Sequence, residues 1–229
     1  MSGTFLFLAA DPRECHPFVA NWARLERAEL PVHWARSGSW KSRRVLAIAN
    51  GAGPARARMA VEAAASAGRL EGVCSIGFCG ALDPELGIGD IFVASAVNGE
   101  FPAALPAGMP PARRGALASV PRIAGTAAEK AELGRSGARV VEMEAAGAAR
   151  AAAALGVPFY CIRAVSDLAN EDFSLDFNDF LMPDGRFHTP RLILGALARP
   201  ARFAELIRLS KRTRTASKNL GDFLAHCDF

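Results

Sequence analysis

Three apolar runs, the segments between them and the composition predict an α/β fold with a largely parallel sheet. Residues 5–9, 45–49 and 73–76 are apolar runs rich in β-branched or aromatic side chains, and helical segments separate them. Strands that alternate with helices form β-α-β units, whose strands pair in parallel. Of the 229 residues, 51% are hydrophobic and 22% are charged, which is typical of a packed globular chain. We expect one domain over residues 1–229.

Further elements follow from propensity and from breakers. The alanine-rich stretches 55–67 and 144–155 favour helices. Strands are predicted at 90–94 and at 159–165, the second of which follows a glycine and a proline that end a helix. The stretch 98–114 contains four prolines and is expected to be a loop.

The cysteine pattern and the apolar run at the N-terminus indicate the cellular compartment. The apolar run at residues 4–10 is too short for a signal-peptide core or a membrane span, so we interpret it as the first strand. The five cysteines form no C-x-x-C pair, and they are Cys15, Cys74, Cys79, Cys161 and Cys227. Because this pattern fits neither a disulfide framework nor a zinc site, we expect a cytoplasmic protein. The four histidines show no metal spacing either, and no metal is expected.

The C-terminal region, residues 186–229, is basic and is expected to be helical with a break at Pro200. Between Arg186 and Lys218 nine side chains are basic, and Glu205 is the one acidic residue. A solvated basic face is the ordinary interpretation, and a weak contact with a membrane surface is the alternative. No nucleic-acid partner is expected.

Three carboxylates mark the candidate functional site. Glu142-Met143-Glu144 stands where a predicted helix begins, and Ser166-Asp167 follows the next predicted strand. In parallel α/β sheets the carboxyl ends of the strands are where ligands bind. Taken alone, each acid could equally be a helix cap or a turn residue. Their joint order along the chain is what favours a site.

These segments resemble a known family. Glu142-Met143-Glu144 and Arg163-Ala164-Val165-Ser166-Asp167 are similar to the E-M-E and R-A-x-S-D signatures of methylthioadenosine/S-adenosylhomocysteine nucleosidases and related phosphorylases. Three further segments match in the same order, at residues 10–14, 50–53 and 75–82. The resemblance implies a single-domain, three-layer α/β/α fold with a central mixed, largely parallel sheet. It also implies a purine nucleoside as the small-molecule ligand, and a homodimer or higher homo-oligomer.

The resemblance implies two catalytic residues. Cleavage of a purine nucleoside passes through an oxocarbenium-like sugar, so the base must leave protonated. By resemblance Asp167 protonates the purine at N7, and Glu14 in the first loop activates water.

The same resemblance implies the residues that bind substrate. Glu144 accepts hydrogen bonds from the ribose hydroxyls, Glu142 assists in orienting them, and Met143 packs on the apolar face of the sugar. The remaining expected binding residues are Ser166, Phe78, Gly77 and Ile123. Ile123 belongs to the segment 119–123, the nearest match to the family's purine-contacting stretch.

Three functions are therefore open. Glutamate at position 14 favours hydrolysis of an adenine nucleoside such as methylthioadenosine or adenosylhomocysteine, because the similar phosphorylases carry a phosphate-gripping arginine there. A phosphorylase, including one of the adenosylhopane type that segment 128–133 resembles, is the second; phosphate would bind at Arg13 and the turn 77–80. The third is a nucleoside-binding protein without catalysis. No cofactor is expected, apart from phosphate as co-substrate of a phosphorylase.

Overall fold

The computed structural model describes residues 3–197 and 199–229 of the chain. The strands are β1 (Thr4–Ala9), β2 (Ala23–Arg27), β3 (Trp34–Trp40), β4 (Arg43–Ala49), β5 (Leu70–Ala81), β6 (Ile91–Val97), β7 (Phe101–Pro102), β8 (Arg113–Ser119), β9 (Ala138–Glu142) and β10 (Phe159–Asp167). The helices are α1 (Pro12–Val19), α2 (Pro54–Ala67), α3 (Ala127–Gly134), α4 (Ala145–Ala154), α5 (Thr189–Leu197) and α6 (Pro200–Ala225), with a short 3-10 helix at Phe177–Phe180.

The sheet is mixed and is organised around the long strand β5. β5 pairs in parallel with β1 and β10 and antiparallel with β9. β10 continues antiparallel to β6, and β6, β8 and β9 pair in parallel, so that these strands close into a ring with β5. β1 leads outward through β4 and β3 to β2. Helices α1 and α6 cover one side of the sheet and α2 and α4 the other, which is the three-layer α/β/α arrangement that the family resemblance implies.

Strand β1 is buried on both faces, which explains its uninterrupted apolar sequence. Phe5 and Phe7 point into an aromatic core beneath α1 and α6, where the ring of Phe18 meets Phe7 at 4.8 Å. Leu6 and Leu8 point to the opposite core beneath α2 and α4. The strand therefore joins both halves of the core and ends at the loop that carries Glu14.

Helices α2 and α4 approach closely because glycine stands at their contact. A Cβ atom at Gly147 would lie 2.0 Å from the carbonyl oxygen of Pro54, so no other residue fits without moving a backbone. This approach brings the first turn of α2 next to the start of α4, where the E-M-E motif lies.

Most predicted elements are present, and the differences have simple causes. The segment between β1 and β4 contains α1 and also the hairpin β2–β3, whose first strand is exposed throughout and so lacks an apolar signature. The predicted loop 98–114 is irregular except for β7 and the start of β8. Helices α5 and α6 lie on either side of the predicted break at Pro200. Within the described residues, no helix has both the length and the apolar character needed to cross a membrane.

Candidate active site

A cavity of about 550 Å³ lies at the carboxyl ends of β1 and β10, beside the N-termini of α1 and α4. The predicted site residues that line it are Glu14, Phe78, Ile123, Glu142, Met143, Glu144, Ser166 and Asp167. The three carboxylates at positions 14, 144 and 167, which come from distant parts of the chain, thus share one cleft. Among the described residues no cluster of histidine, cysteine or acidic side chains could hold a metal ion.

The carboxylate of Glu14 fills a nest of backbone N–H groups. Asp11 caps α1, and Glu14 in the first turn folds back to accept from the backbone N–H of Ala10 at 2.9 Å and of Asp11 at 3.0 Å. Its other oxygen accepts from the N–H of Phe78 on β5 at 2.9 Å. Burial raises the pKa of Glu14, although these hydrogen bonds oppose the shift. Glu14 is therefore fixed in place and is a stronger base than an exposed carboxylate.

Gly77 supports Glu14 and does not line the cavity. A Cβ atom at this position would lie 2.8 Å from Glu14 Oε1, and its φ of +151° is one that other residues rarely adopt. The sequence predicts that Gly77 binds substrate, but in the structure this glycine instead leaves room for the Glu14 carboxylate that faces the cavity.

Glu142 is held by backbone N–H groups and by a buried arginine. Its carboxylate accepts from the backbone N–H groups of Glu144 and Ala145, both at 2.9 Å, which satisfies the N-terminus of α4. It also forms a buried ion pair with Arg163, whose guanidinium donates to Ser75 Oγ at 2.8 Å. These contacts, which fall mainly on Oε2, fix the backbone around Glu144. A role of Glu142 in orienting the sugar hydroxyls stays a prediction.

Glu144 projects from the start of α4 into the cavity. Its Oε1 accepts from the N–H of Gly53 in the loop after β4, at 2.9 Å. Burial, and then the charge of Glu142, raise the pKa of Glu144 to about 8. The carboxyl of Glu144 is therefore largely protonated at neutral pH.

Asp167 stands at the end of β10, opposite Gly80 of β5. It is 8% exposed, and Ser166 Oγ lies 2.9 Å from its Oδ2. Its Oδ1 accepts from Lys130 Nζ at 2.5 Å. Both carboxylate oxygens of Asp167 therefore accept hydrogen bonds at the edge of the cavity.

Lys130 is the principal residue that sequence reasoning missed. It lies on α3 and is fully buried, and its ammonium donates to the carbonyl oxygen of Leu168 at 2.7 Å as well as to Asp167. The sequence held a signal for it, because Lys130 shares a helix face with Ala127 and Leu133. A lysine on an apolar face needs a buried partner.

An aromatic wall closes the side of the cavity beside Asp167. It consists of Phe173, Phe177 and Phe187, and the first two rings meet edge to face at 5.1 Å. The wall is held against the loop after β4 by a hydrogen bond from the N–H of Ala52 to the carbonyl oxygen of Gly185, at 2.7 Å. Rings in this position offer faces for stacking a purine.

Ile123 lines the cavity, but its backbone already has a partner. The side-chain amide of Asn178 accepts from the N–H of Ile123 at 2.9 Å and donates to its carbonyl oxygen at 3.1 Å. A base that bonded to the Ile123 backbone would have to displace Asn178.

The far end of the cavity is apolar. Side chains of α5 and α6 form it, namely Leu192, Ile193, Leu206 and Leu209. The cavity is thus polar where the three acids meet and apolar where the C-terminal helices cover it, as expected for a ligand with one polar and one apolar part.

Comparison with known protein families shows to which family the chain belongs. The profile described as the phosphorylase superfamily matches residues 4–107 and 100–186. The chain belongs to the phosphorylase superfamily. This membership confirms the resemblance drawn from the sequence, and the matched residues carry all three acids.

Relatives of this phosphorylase-superfamily chain include several nucleosidases. A 5'-methylthioadenosine/S-adenosylhomocysteine nucleosidase of Listeria monocytogenes is 46% identical over 43 residues, which are 19% of this chain and 18% of that protein. The match therefore spans less than a fifth of the relative's length.

Solved structures share the fold over nearly the whole chain. The structure of a 5'-methylthioadenosine/S-adenosylhomocysteine nucleosidase from S. pneumoniae, with a transition-state inhibitor, has a TM-score of 0.70 at 19% identity. The alignment covers 97% of this chain and 99% of that chain. The futalosine hydrolase of Helicobacter pylori has a TM-score of 0.68 at 16% identity, covering 96% of this chain and 95% of its own. These likenesses confirm the predicted single-domain α/β fold.

Proposed function

We propose that this chain hydrolyses the N-glycosidic bond of an adenine nucleoside such as methylthioadenosine or adenosylhomocysteine. One observation carries the proposal: Glu14, Glu144 and Asp167 face a single cavity, two of them strongly buried. A base for water and an acid for the leaving purine must lie on opposite sides of one ribosyl group. The names of the relatives support the choice of substrate.

The reaction assigns one task to each acid. As the bond between C1' and N9 breaks, its electron pair passes to the purine, and Asp167 delivers a proton to N7. Glu144 accepts a hydrogen bond from the ribose hydroxyls, and Met143 packs on the sugar. Water then attacks C1', and Glu14 takes its proton, giving free adenine and a sugar with a hydroxyl at C1'.

Water is favoured over phosphate because the anion site near the sugar is already filled. The N–H groups of Ala10, Asp11 and Phe78 all donate to the Glu14 carboxylate. Arg13, the other candidate for phosphate, forms a two-point ion pair with Asp11 at 2.8 and 2.9 Å. A phosphate would have to displace both carboxylates.

The test is to supply methylthioadenosine, adenosylhomocysteine, adenosine and inosine with and without phosphate, and to separate the products by chromatography. We expect adenine and a phosphate-free sugar, at a rate that phosphate does not change. Strict dependence on phosphate would establish the phosphorylase instead. Binding of these nucleosides without turnover would establish the binding protein.

We also propose a cytoplasmic location and a homo-oligomer, as the resemblance implies. All five cysteines are unpaired and buried, an arrangement that suits a reducing compartment. Sedimentation of the purified chain measures its subunit number directly.

A weak membrane contact is proposed for the α5–α6 patch, which we define by five exposed apolar residues. They are Ile193, Leu194, Leu197, Phe203 and Ile207. Phe203, Ile207 and Lys211 recur every four residues on α6 and so share one helix face, and Arg199 caps the start of this helix. No carboxylate in the described chain forms an ion pair with Arg199 or Lys211.

An anionic membrane surface fits the α5–α6 patch better than a second copy of the chain does. In a two-fold dimer the same patch would meet itself, and the unpaired cations would repel one another. Anionic lipid headgroups complement those cations, while the interface accommodates the apolar side chains.

A further inference from the structure

The ion pair between Lys130 and Asp167 has no evident purpose in folding. Lys130 is fully buried on α3, and its helix is already fixed by a capping box in which Thr126 and Glu129 satisfy each other's backbone N–H groups. Burying an ammonium costs free energy, and an apolar side chain of similar length would fill the same space at no such cost. The lysine is therefore better explained by what it does to Asp167.

The ammonium is held where it can exchange a proton with the carboxylate. Nζ lies 2.5 Å from Asp167 Oδ1 and 2.7 Å from the carbonyl oxygen of Leu168, and it stands 5.2 Å from the ring centre of Phe173. These contacts fix its position without supplying a second negative charge. The carboxylate of Asp167 is thus the one anionic partner of Lys130 among the described residues.

The ion pair creates a chemical difficulty for an acid catalyst. A cation beside a carboxylate favours its ionised form, yet Asp167 must deliver a proton to the purine. The difficulty disappears if Lys130 and Asp167 share the proton that is delivered. An ammonium beside a carboxylate holds the same number of protons as an amine beside a carboxylic acid, so the pair can still release one.

We infer that Lys130 acts through Asp167, supplying the proton that Asp167 delivers, so that the two residues form one acid; this inference rests on the proposed function. As the bond between C1' and N9 breaks, a proton leaves Nζ, passes through the Asp167 carboxyl and ends on N7. The purine leaves neutral, Lys130 remains as a neutral amine, and Asp167 is again ionised. Glu14 gains the proton of the attacking water, so the charge of the protein is unchanged over the step.

Other titratable groups around the pair are neutral or paired. Cys79 on β5 faces Asp167, and burial raises the pKa of its thiol well above the ordinary range, so it stays uncharged. Arg212 on α6 also faces Asp167, and it is bound to Glu171 at 2.6 Å. Near the start of α3, Glu129 and Asp172 bind backbone N–H groups, and Glu129 also pairs with Arg122 at 3.1 Å. The pH dependence of the acid should therefore reflect the Lys130–Asp167 pair.

The wild-type enzyme provides the first test. An isolated aspartate loses its proton near about pH 4, whereas a lysine retains its proton to about pH 10. We expect kcat for methylthioadenosine, or for whichever nucleoside the enzyme hydrolyses, to stay high into the alkaline range. A kcat that falls with an apparent pKa below about 6 would overturn the inference, because Asp167 would then act alone.

Two substitutions separate proton supply from mere positioning. In Lys130→Met, Asp167 must carry the proton itself, so the alkaline limb of kcat should move to lower pH by at least about one unit while activity at acid pH is largely kept. In Lys130→Arg the positive charge remains, but a guanidinium does not give up its proton, so kcat should fall by about 100-fold at neutral pH. Lys218→Met, which changes an exposed lysine of α6, is the matched control.

The outcomes distinguish this inference from the proposed function. A lysine that only positions Asp167 would be replaced best by arginine, so Lys130→Arg within about three-fold of wild type would overturn the inference. So would a Lys130→Met enzyme slowed by the same factor at every pH. If Lys130→Met does not fold, as judged by its thermal unfolding, the wild-type profile and Lys130→Arg still decide. Absence of turnover in the wild type would refute the proposed function, and the inference with it.

Discussion

Gly80 lies directly against Asp167: a Cβ atom built on Gly80 would stand 2.8 Å from Asp167 Oδ1. The two residues are register partners on β5 and β10, at an irregular step in the pairing of these strands. The glycine therefore allows the carboxylate to lie back over β5, where it can reach Lys130 and still face the cavity.

Gly80→Ala should displace the Asp167 carboxylate, and it should lower the melting temperature slightly because its Cβ would also lie 3.3 Å from Val141 Cγ1. We expect kcat/KM to fall about 10-fold or more, because small displacements of a catalytic group have large effects on rate. Gly87→Ala is the matched control, since its Cβ would meet no atom nearer than 3.8 Å. Steady-state rates and thermal unfolding of both variants provide the measurement. Equal rates for Gly80→Ala and wild type would show that the position of Asp167 does not limit catalysis.

Glu14→Ala should empty the nest of N–H groups formed by Ala10, Asp11 and Phe78. Hydrolysis should fall by about 10²–10⁴-fold, because the base for water is lost. The vacated donors should then bind a small anion, since convergent backbone N–H groups form anion sites. We expect added formate to restore part of the hydrolysis rate.

The control for this rescue is Asp167→Asn, which leaves the nest filled. Formate should not increase its rate, because the missing group there is the acid and not the base. A rescue of both variants to the same degree would mean that the anion acts elsewhere. The rates are measured as adenine release over a series of formate concentrations at constant ionic strength.

The fold and the location of the site followed from the sequence because their signals are local. Strand β1 is apolar on both faces, and α4 is a run of alanines, so each is recognisable from a few neighbouring residues. The carboxylates at 142 and 144 stand at the start of a predicted helix, and the carboxylate at 167 follows a predicted strand, so their position at the edge of the sheet is predictable. The exposed strand β2 has no such signal, since its order depends on pairing with β3.

What each site residue contacts could not be predicted, because it depends on residues far away in the chain. Glu142 supports the backbone at Glu144 because it is bound by Arg163, which is 21 positions away in the chain. Lys130 reaches Asp167 across 37 positions, through a helix whose own sequence suggests only packing. Electrostatic environment likewise arises from the assembled fold, as the pKa of Glu144 shows.

Glu144→Gln should stabilise the protein at alkaline pH. The raised pKa of Glu144, about 8, means that folded and unfolded states bind this proton equally at low pH but differently at higher pH. As pH rises from about 4 to 8, the unfolded chain has released a proton that the folded chain still holds, so the carboxyl lowers stability. We expect Tm of the variant to exceed that of wild type by about 2 °C or more near pH 8.5.

The difference between Glu144→Gln and wild type should shrink toward pH 5, and differential scanning calorimetry across this range measures it. Glu62→Gln serves as the control, because Glu62 is exposed and pairs with Arg58 on the surface. A Tm difference that does not depend on pH would show that the substitution acts through packing rather than through the buried charge.

The α5–α6 patch should bind vesicles in a charge-dependent way. We expect the wild-type chain to sediment with phosphatidylglycerol vesicles but not with phosphatidylcholine vesicles, and to be released by salt. Leu194→Ser with Leu197→Ser should abolish sedimentation, because these side chains are 71% and 60% exposed and would enter the interface. Leu105→Ser with Leu155→Ser removes comparable exposed leucines elsewhere and should leave binding unchanged. Binding that survives the first pair of substitutions, or that ignores lipid charge, would exclude this patch as the membrane contact.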